Sequence, residues 1–232
     1  LNALPEWLGE QDEPDGFQPE HPVLTAAHRH FPDQLIGRTG LVMEALIPAV
    51  LEQKVTNIEA GRAWARLLRR FGQPAPGPPN AMPAGLRVTP APDDWARIPS
   101  WEWHRAGVGP ERSRTIVTAA RHASRLEETA TMATEEADRR LQAVPGIGPW
   151  TSAEIRQRVL GDADAVSVGD AGLPHVVAYA LAGERRGTDE RMLALLEPYR
   201  GHRHRACVLL LRSGIVPPRR APKAPIRDFR QM

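Results

Sequence analysis

The sequence predicts an all-α protein, and three observations carry that expectation. Across residues 39–71 the apolar positions Leu41, Ala45, Ile47, Val50, Leu51, Val55, Ile58, Ala63, Trp64, Leu67, Leu68 and Phe71 recur at three- and four-residue steps, the period of a helix with one buried face. Residues 134–144 repeat the pattern with Ala137, Leu141 and Val144 on one side. Almost no stretch alternates apolar and polar residues with period two, so strands have little to build on.

In chain order, residues 1–22 are rich in Pro, Gly and acids with scattered apolar anchors, Trp7, Leu8 and Phe17. They predict an extended arm docked over a surface by its aromatics. Residues 39–71 predict two or three helices, with Pro48 near a helix start and a second N-terminus at Asn57. GQPAPGPPNAMPAGLRVTPAP, residues 72–92, holds too many prolines for a helix interior and predicts a surface loop. Asp93 is expected to cap a short helix through Trp95. Helices follow at 106–126, 134–144, 150–160, after Asp170, at 189–196 and at 202–213. The C-terminal basic run, Arg212, Arg219, Arg220, Lys223, Arg227 and Arg230, reads either as a phosphate-grazing arm or as a solvated tail docked by Ile226 and Phe229.

Composition narrows the function. The first 20 residues carry six of the 28 acids and no Lys or Arg, so the body sets 22 acids against all 30 bases. A basic body suits a polyanionic partner. The single cysteine, Cys207, excludes an internal disulfide and a cysteine-ligated metal site within this chain. It stands in the apolar run ACVLLL and reads as a buried, inert thiol. No apolar run reaches the length of a membrane span and no signal-peptide pattern opens the sequence. A cytoplasmic monomer is expected, nucleoid-associated if bacterial. His202 and His204 stand two apart on a helix and diverge, so no metal site is expected.

The stretch LQAVPGIGPWTSAEI, residues 141–155, places Gly146 and Gly148 between two helical runs. Glycine frees the turn from side chains, and the amides around Gly146, Ile147, Gly148 and Trp150 then stand at a helix N-terminus, a site for an anion such as a backbone phosphate. Thr151 and Ser152 add hydroxyls of suitable reach. The alternative is an ordinary helix-loop-helix connector.

With AVSVGD twenty residues on, this stretch resembles the helix-hairpin-helix and Gly/Pro-Asp signature of the DNA glycosylase superfamily, in its 3-methyladenine glycosylase II, AlkA-like branch. LIPAVLEQKVTNIEAGRAWARLLRRFG upstream and LLEPYRGHRHRACVLLLR downstream extend the likeness over roughly residues 40–213. The resemblance implies two helical subdomains, residues 39–160 as a central barrel carrying the hairpin at 137–160, and residues 1–38 with 161–232 as the other. The active-site cleft would lie between them.

It also implies roles. Asp170 would stabilise the oxocarbenium-like sugar formed as an N-glycosidic bond breaks and orient the attacking water; the alternative is a plain N-cap for the helix after it. Trp150 stands where some relatives carry a Schiff-base lysine, so the activity implied is monofunctional, with a pocket role or a core role for the indole. The target base must leave the stack, and Gln53 and Lys54 match the segment that fills the space it vacates; the alternative is an exposed polar patch. Glu154 and His202 stand at or near two aromatic pocket positions of the family, and Ala171 and Gly172 follow Asp170 where bulkier residues are usual. The implied substrate is duplex DNA carrying a damaged, alkylated purine. No organic cofactor is expected, although a structural monovalent cation at the hairpin carbonyls is implied. Two rivals stay open: a non-catalytic DNA-binding module, and a bifunctional glycosylase/lyase.

Overall fold

The computed structural model describes residues 2–78, 83 and 85–218. Arg219, Arg220, Lys223, Ile226, Arg227, Phe229 and Arg230, on which both readings of the basic tail depend, lie outside them. The helices are α1 (Leu4–Trp7), α2 (Pro22–His30), α3 (Val42–Leu51), α4 (Asn57–Phe71), α5 (Pro92–Arg97), α6 (Ser100–Ala106), α7 (Pro110–Arg121), α8 (Ala123–Glu127), α9 (Thr134–Gln142), α10 (Pro149–Val159), α11 (Leu173–Ala182), α12 (Asp189–Leu196) and α13 (Arg203–Arg212). Among the described residues the only strands are Gln73–Pro74 and Arg87–Val88, one short antiparallel ladder inside the expected loop. No described helix is long and apolar enough to cross a membrane.

Two apolar clusters organise the chain. The first is built on α3, where eight of ten residues are buried. A helix apolar on all sides needs neighbours all round, and α4, α7, α8 and α10 supply them. Its free N-terminal amides are capped from a distance: Glu127 of α8 accepts from Val42 N at 3.0 Å and Met43 N at 2.9 Å. Pro48, expected near a helix start, lies inside α3. Packing on every side offsets the one backbone bond a proline forfeits. The start at Asn57 is as expected, because Thr56 and Glu59 form a reciprocal capping box. Trp64, Trp95 and Trp103 stack in this core at centroid spacings of 6.1 and 5.8 Å. Asp93 caps nothing; α5 starts one residue earlier, at Pro92, behind an uncapped Ala91.

The second cluster joins the two ends of the chain: Phe17, Leu24 and Ala27 meet Val177, Met192, Leu196, Cys207 and Leu210. The N-terminal arm is less extended than expected, with a helical turn at α1, a 3-10 turn at Pro14–Gly16 and α2 beginning at Pro22. Its anchors also differ. Trp7 and Leu8 remain 49% and 67% exposed, whereas Phe17 is buried. Trp7 still ties the arm to the body, since its indole Nε1 donates to the Thr39 carbonyl at 3.3 Å and its own carbonyl lies 1.9 Å from where a Cβ on Gly37 would stand. The firmest tie is ionic, since Arg205 of α13 pairs with Asp12, with side chains 2% and 3% exposed. Asp12 also accepts from Ile36 N at 2.9 Å, and Arg205 donates to the Gln34 carbonyl at 3.2 Å. Cys207 is buried as expected, and burial pushes its thiol up to about 12.

Candidate active site

The hairpin between α9 and α10 is gripped from two sides. Gly146 takes φ +93°, and a Cβ there would stand 2.0 Å from Thr115 Oγ1, so both conformation and space demand glycine. Thr115 donates to the Pro145 carbonyl at 3.2 Å. Gln53, just beyond α3, donates from Nε2 to the Gly146 carbonyl at 2.9 Å and to Thr151 Oγ1 at 2.8 Å. Gly148 is different: it is the N-cap of α10 with φ −102°, and a Cβ would meet nothing within 4 Å. Its missing side chain leaves open space in front of the first helical turn. There the amides of Trp150 and Thr151 have no preceding helical carbonyl to bond.

Four expected contact residues need correction. Ile147 is buried in the core and its amide bonds the Val144 carbonyl at 3.0 Å. Thr151 and Ser152 are buried, and the Ser152 hydroxyl donates to Asp138 Oδ1 at 2.6 Å. Their side chains face inward because the first turn of α10 packs on α3 and α9. Gln53, expected to fill the place of an extruded base, has its amide committed to the hairpin. Gly146, Gly148 and the backbone of Trp150 remain as the open surface. Lys54 is exposed, lines the cleft and takes φ +56°, the one left-handed non-glycine among the described residues.

Asp170 stands two residues ahead of Gly172, the N-cap of α11. Its Oδ1 accepts from Gly172 N and Leu173 N, both at 2.7 Å, and its Oδ2 accepts from the Trp150 indole Nε1 at 3.3 Å. The capping role and a cleft-facing carboxylate coexist. Gly169, at φ +92°, turns the chain into this position while its amide donates to both Asp189 oxygens at 3.1 Å.

Behind Asp170, α10 holds the loop with one face. Trp150, Glu154 and Gln157 follow at spacings of four and three, which align them. Gln157 donates to the Ala165 carbonyl at 2.9 Å and to Ser167 Oγ at 3.0 Å, and Ser167 donates to Glu154 Oε1 at 2.6 Å. Glu154 is therefore no pocket residue: it clamps the loop and pairs with Arg158 at 2.8 Å. Gln157 escaped the sequence reading, although its register with Trp150 was visible there.

His202 also lies elsewhere. Its ring packs 5.7 Å from Phe17, accepts from Arg205 Nε at 3.4 Å and lines a separate depression with Asp12 and Gly16. Burial first, and Arg205 second, hold it below the usual histidine range. The residue belongs to the core that binds the N-terminal arm.

The cleft in front of Asp170 has a volume of about 1340 Å³. Its walls include residues 52–57 between α3 and α4, Glu111, Arg114 and Thr118 of α7, the hairpin, and residues 169–171. Among the described residues Trp150 is its one aromatic lining. The carbonyls of Val144, Pro145 and Gly146, donors for the implied cation, each accept one protein hydrogen bond and keep a second lone pair. Among the described residues no group of three or more His, Cys, Asp or Glu could hold a metal ion.

No family model matches the chain. It is 34% identical over 154 residues to the "Probable bifunctional transcriptional activator/DNA repair enzyme AlkA" of Mycobacterium tuberculosis (strain H37Rv), a match covering 66% of this chain. The chain spans 30% of the length of that relative. Among solved structures it is similar to a 3-methyladenine DNA-glycosylase from Archaeoglobus fulgidus, with TM-score 0.70 and 21% identity over 90% of this chain and 72% of that one. An 8-oxoguanine glycosylase/lyase of Clostridium acetobutylicum bound to double-stranded DNA superposes with TM-score 0.72 and 14% identity, over 90% and 72% of the two chains. A 3-methyladenine DNA glycosylase of Schizosaccharomyces pombe bound to abasic DNA gives 0.64 and 18%, over 90% and 95%.

Proposed function

We propose, from the premise that the chain belongs to the helix-hairpin-helix DNA glycosylase superfamily and its AlkA-like branch, that it is a monofunctional glycosylase. It hydrolyses the N-glycosidic bond of an alkylated purine in duplex DNA, as a monomer, in base excision repair. The observation that carries this reading is the Asp170 carboxylate, fixed at the cleft by two backbone amides and the Trp150 indole. A charge held so rigidly needs no reorganisation when positive charge develops on the sugar. Oδ1 is occupied by two amides, so Oδ2, with one donor, is the oxygen left to face C1′ or the attacking water.

The hairpin suits the positioning role. Open amides in front of Gly148 would hold one phosphate and read no sequence. Two fold neighbours were solved with DNA, which supports a duplex as the partner. No cofactor enters these steps, and a cation on the spare lone pairs of the hairpin carbonyls would brace the turn only.

Incubating the wild type and Asp170→Asn with a duplex carrying one N3- or N7-alkylated purine, then probing for abasic sites, tests the reading. The variant should release base at least about 100-fold more slowly while binding the duplex equally. Absence of release by the wild type from any lesion would leave a DNA-binding module. Strand nicking without alkali would refute the monofunctional claim and direct attention to Lys54, the amine that lines the cleft.

A further inference from the structure

The cleft contains a carboxylate that the chemistry above leaves unused. Glu52 is the C-cap of α3, where Gln53 N donates to the Val50 carbonyl at 3.3 Å and Arg112 to the Leu51 carbonyl at 2.7 Å, so the last turn is closed without the Glu52 side chain. It lines the same cleft as Asp170. Gln53, the next residue, reaches Thr151, whose neighbour Trp150 holds Asp170, so a short hydrogen-bonded path links the Glu52 side of the cleft to the Asp170 side. No donor or ion-pair partner reaches the Glu52 carboxylate among the described residues. Burial pushes its carboxyl above the usual range; Arg158, already paired with Glu154, opposes the shift from a distance and Glu154 adds to it.

The charges that line the cleft are Glu52, Glu59, Glu111 and Asp170 against Lys54 and Arg114. Glu59 is engaged in its capping box and Asp170 by its three donors. With a single aromatic in the lining among the described residues, π faces offer little to attract a cation. A half-buried, unpartnered acid offers more, because an opposite charge entering the cleft relieves its desolvation.

We propose that Glu52 determines specificity in this cleft by selecting flipped purines that carry a formal positive charge, N3- or N7-alkylated, over neutral lesions of similar shape. The inference rests on the glycosylase reading and gives the two acids separate tasks. As the bond to the sugar breaks, its electron pair stays with the base. The cationic base leaves neutral, and the positive charge passes to C1′ beside Asp170. The base keeps part of its charge until cleavage is complete, so the attraction to Glu52 acts on bound substrate and transition state alike, lowering KM without changing kcat. It belongs to binding rather than to the chemical step.

The test compares the wild type with Glu52→Gln and Glu52→Asp on duplexes carrying either an N7-alkylated guanine or neutral hypoxanthine. For Glu52→Gln the ratio of kcat/KM for the cationic over the neutral lesion should fall at least tenfold, through KM, with kcat within twofold. Glu52→Asp should restore part of that ratio. A ratio unchanged in Glu52→Gln, or a fall confined to kcat, overturns the role while leaving the glycosylase reading intact. A wild type that releases neither base overturns that reading itself. Circular dichroism and duplex affinity of each variant separate misfolding from loss of recognition, and a correctly folded Glu52→Gln with wild-type preference refutes the assignment.

Discussion

Trp150→Phe tests one hydrogen bond. Phenylalanine keeps an aromatic ring in the cleft and removes the indole N–H that meets Asp170 Oδ2 at 3.3 Å, together with the bulk of one ring. Oδ1 retains its two amides at 2.7 Å, so the carboxylate stays tied at one oxygen and gains freedom at the other. A hydrogen bond to a charged group contributes about 1.5–3 kcal/mol, and the long N···O distance places this one at the low end. At 1.36 kcal/mol per factor of ten in rate, about a tenfold fall in kcat is expected. Duplex affinity should stay within twofold, because the open amides of the hairpin are backbone groups. Single-turnover base release with excess enzyme gives the rate directly, and a double-mutant cycle with Asp170→Asn supplies the control. If the indole acts through the carboxylate, Trp150→Phe costs nothing further once Asp170 is gone. Wild-type kcat in Trp150→Phe, or a full additive loss in the double variant, would refute the coupling.

Arg205→Met leaves Asp12 as an unpaired buried charge, and urea unfolding should show a loss of about 3–5 kcal/mol. The double variant with Asp12→Leu should recover much of it, since an apolar pair of similar volume often replaces a buried ion pair without cost. A pH titration of stability should find His204: burial, then Arg158 and Arg205, lower its pKa from 6.5 to about 4. Between these values the unfolded chain binds the proton and the folded chain does not, so stability rises with pH through this window and falls as pH drops through it. His204→Gln should flatten that slope, and an unchanged slope would place the effect in other groups.

The parts of this fold that could be read from sequence are those set by neighbours in the chain. The capping box at Thr56, the glycine of the hairpin turn and the helical periods all depend on contacts within a few residues. Pro48 misled because its tolerance inside α3 comes from packing on every side, which no local pattern records. Ser100–Ala106 was missed for a related reason: its seven residues span too few turns for a period to emerge. At the site, Asp170 was singled out through the family resemblance that the hairpin and AVSVGD carry, and the structure places its carboxylate on the cleft. Glu154 and His202 were misplaced because a position in a family pattern does not say which way a side chain turns. Glu154 turns to Ser167, and His202 to Phe17. Thr115, which sets the size of the turn at Gly146, gave no signal, since it lies 31 positions away on α7. Glu52 passed unnoticed beside Gln53 and Lys54, for only the folded chain shows that no donor among the described residues bonds its carboxylate.

The helix that starts at the hairpin also carries, within its first two turns, the indole and the carboxylate that hold the loop bearing Asp170. Under the proposed function, grip and chemistry would share one rigid gauge of about 1.5 Å per residue. The wall at residues 52–56 lies outside that gauge, on the connector between α3 and α4. Under the proposed function this separates two libraries for directed evolution: randomising the connector would explore which base is accepted, whereas randomising the buried face of α10 would loosen the loop that bears Asp170. New specificities should therefore be sought at Glu52, Lys54 and Val55, with Gln53, which holds the hairpin, and Thr56, which caps α4, kept as they are.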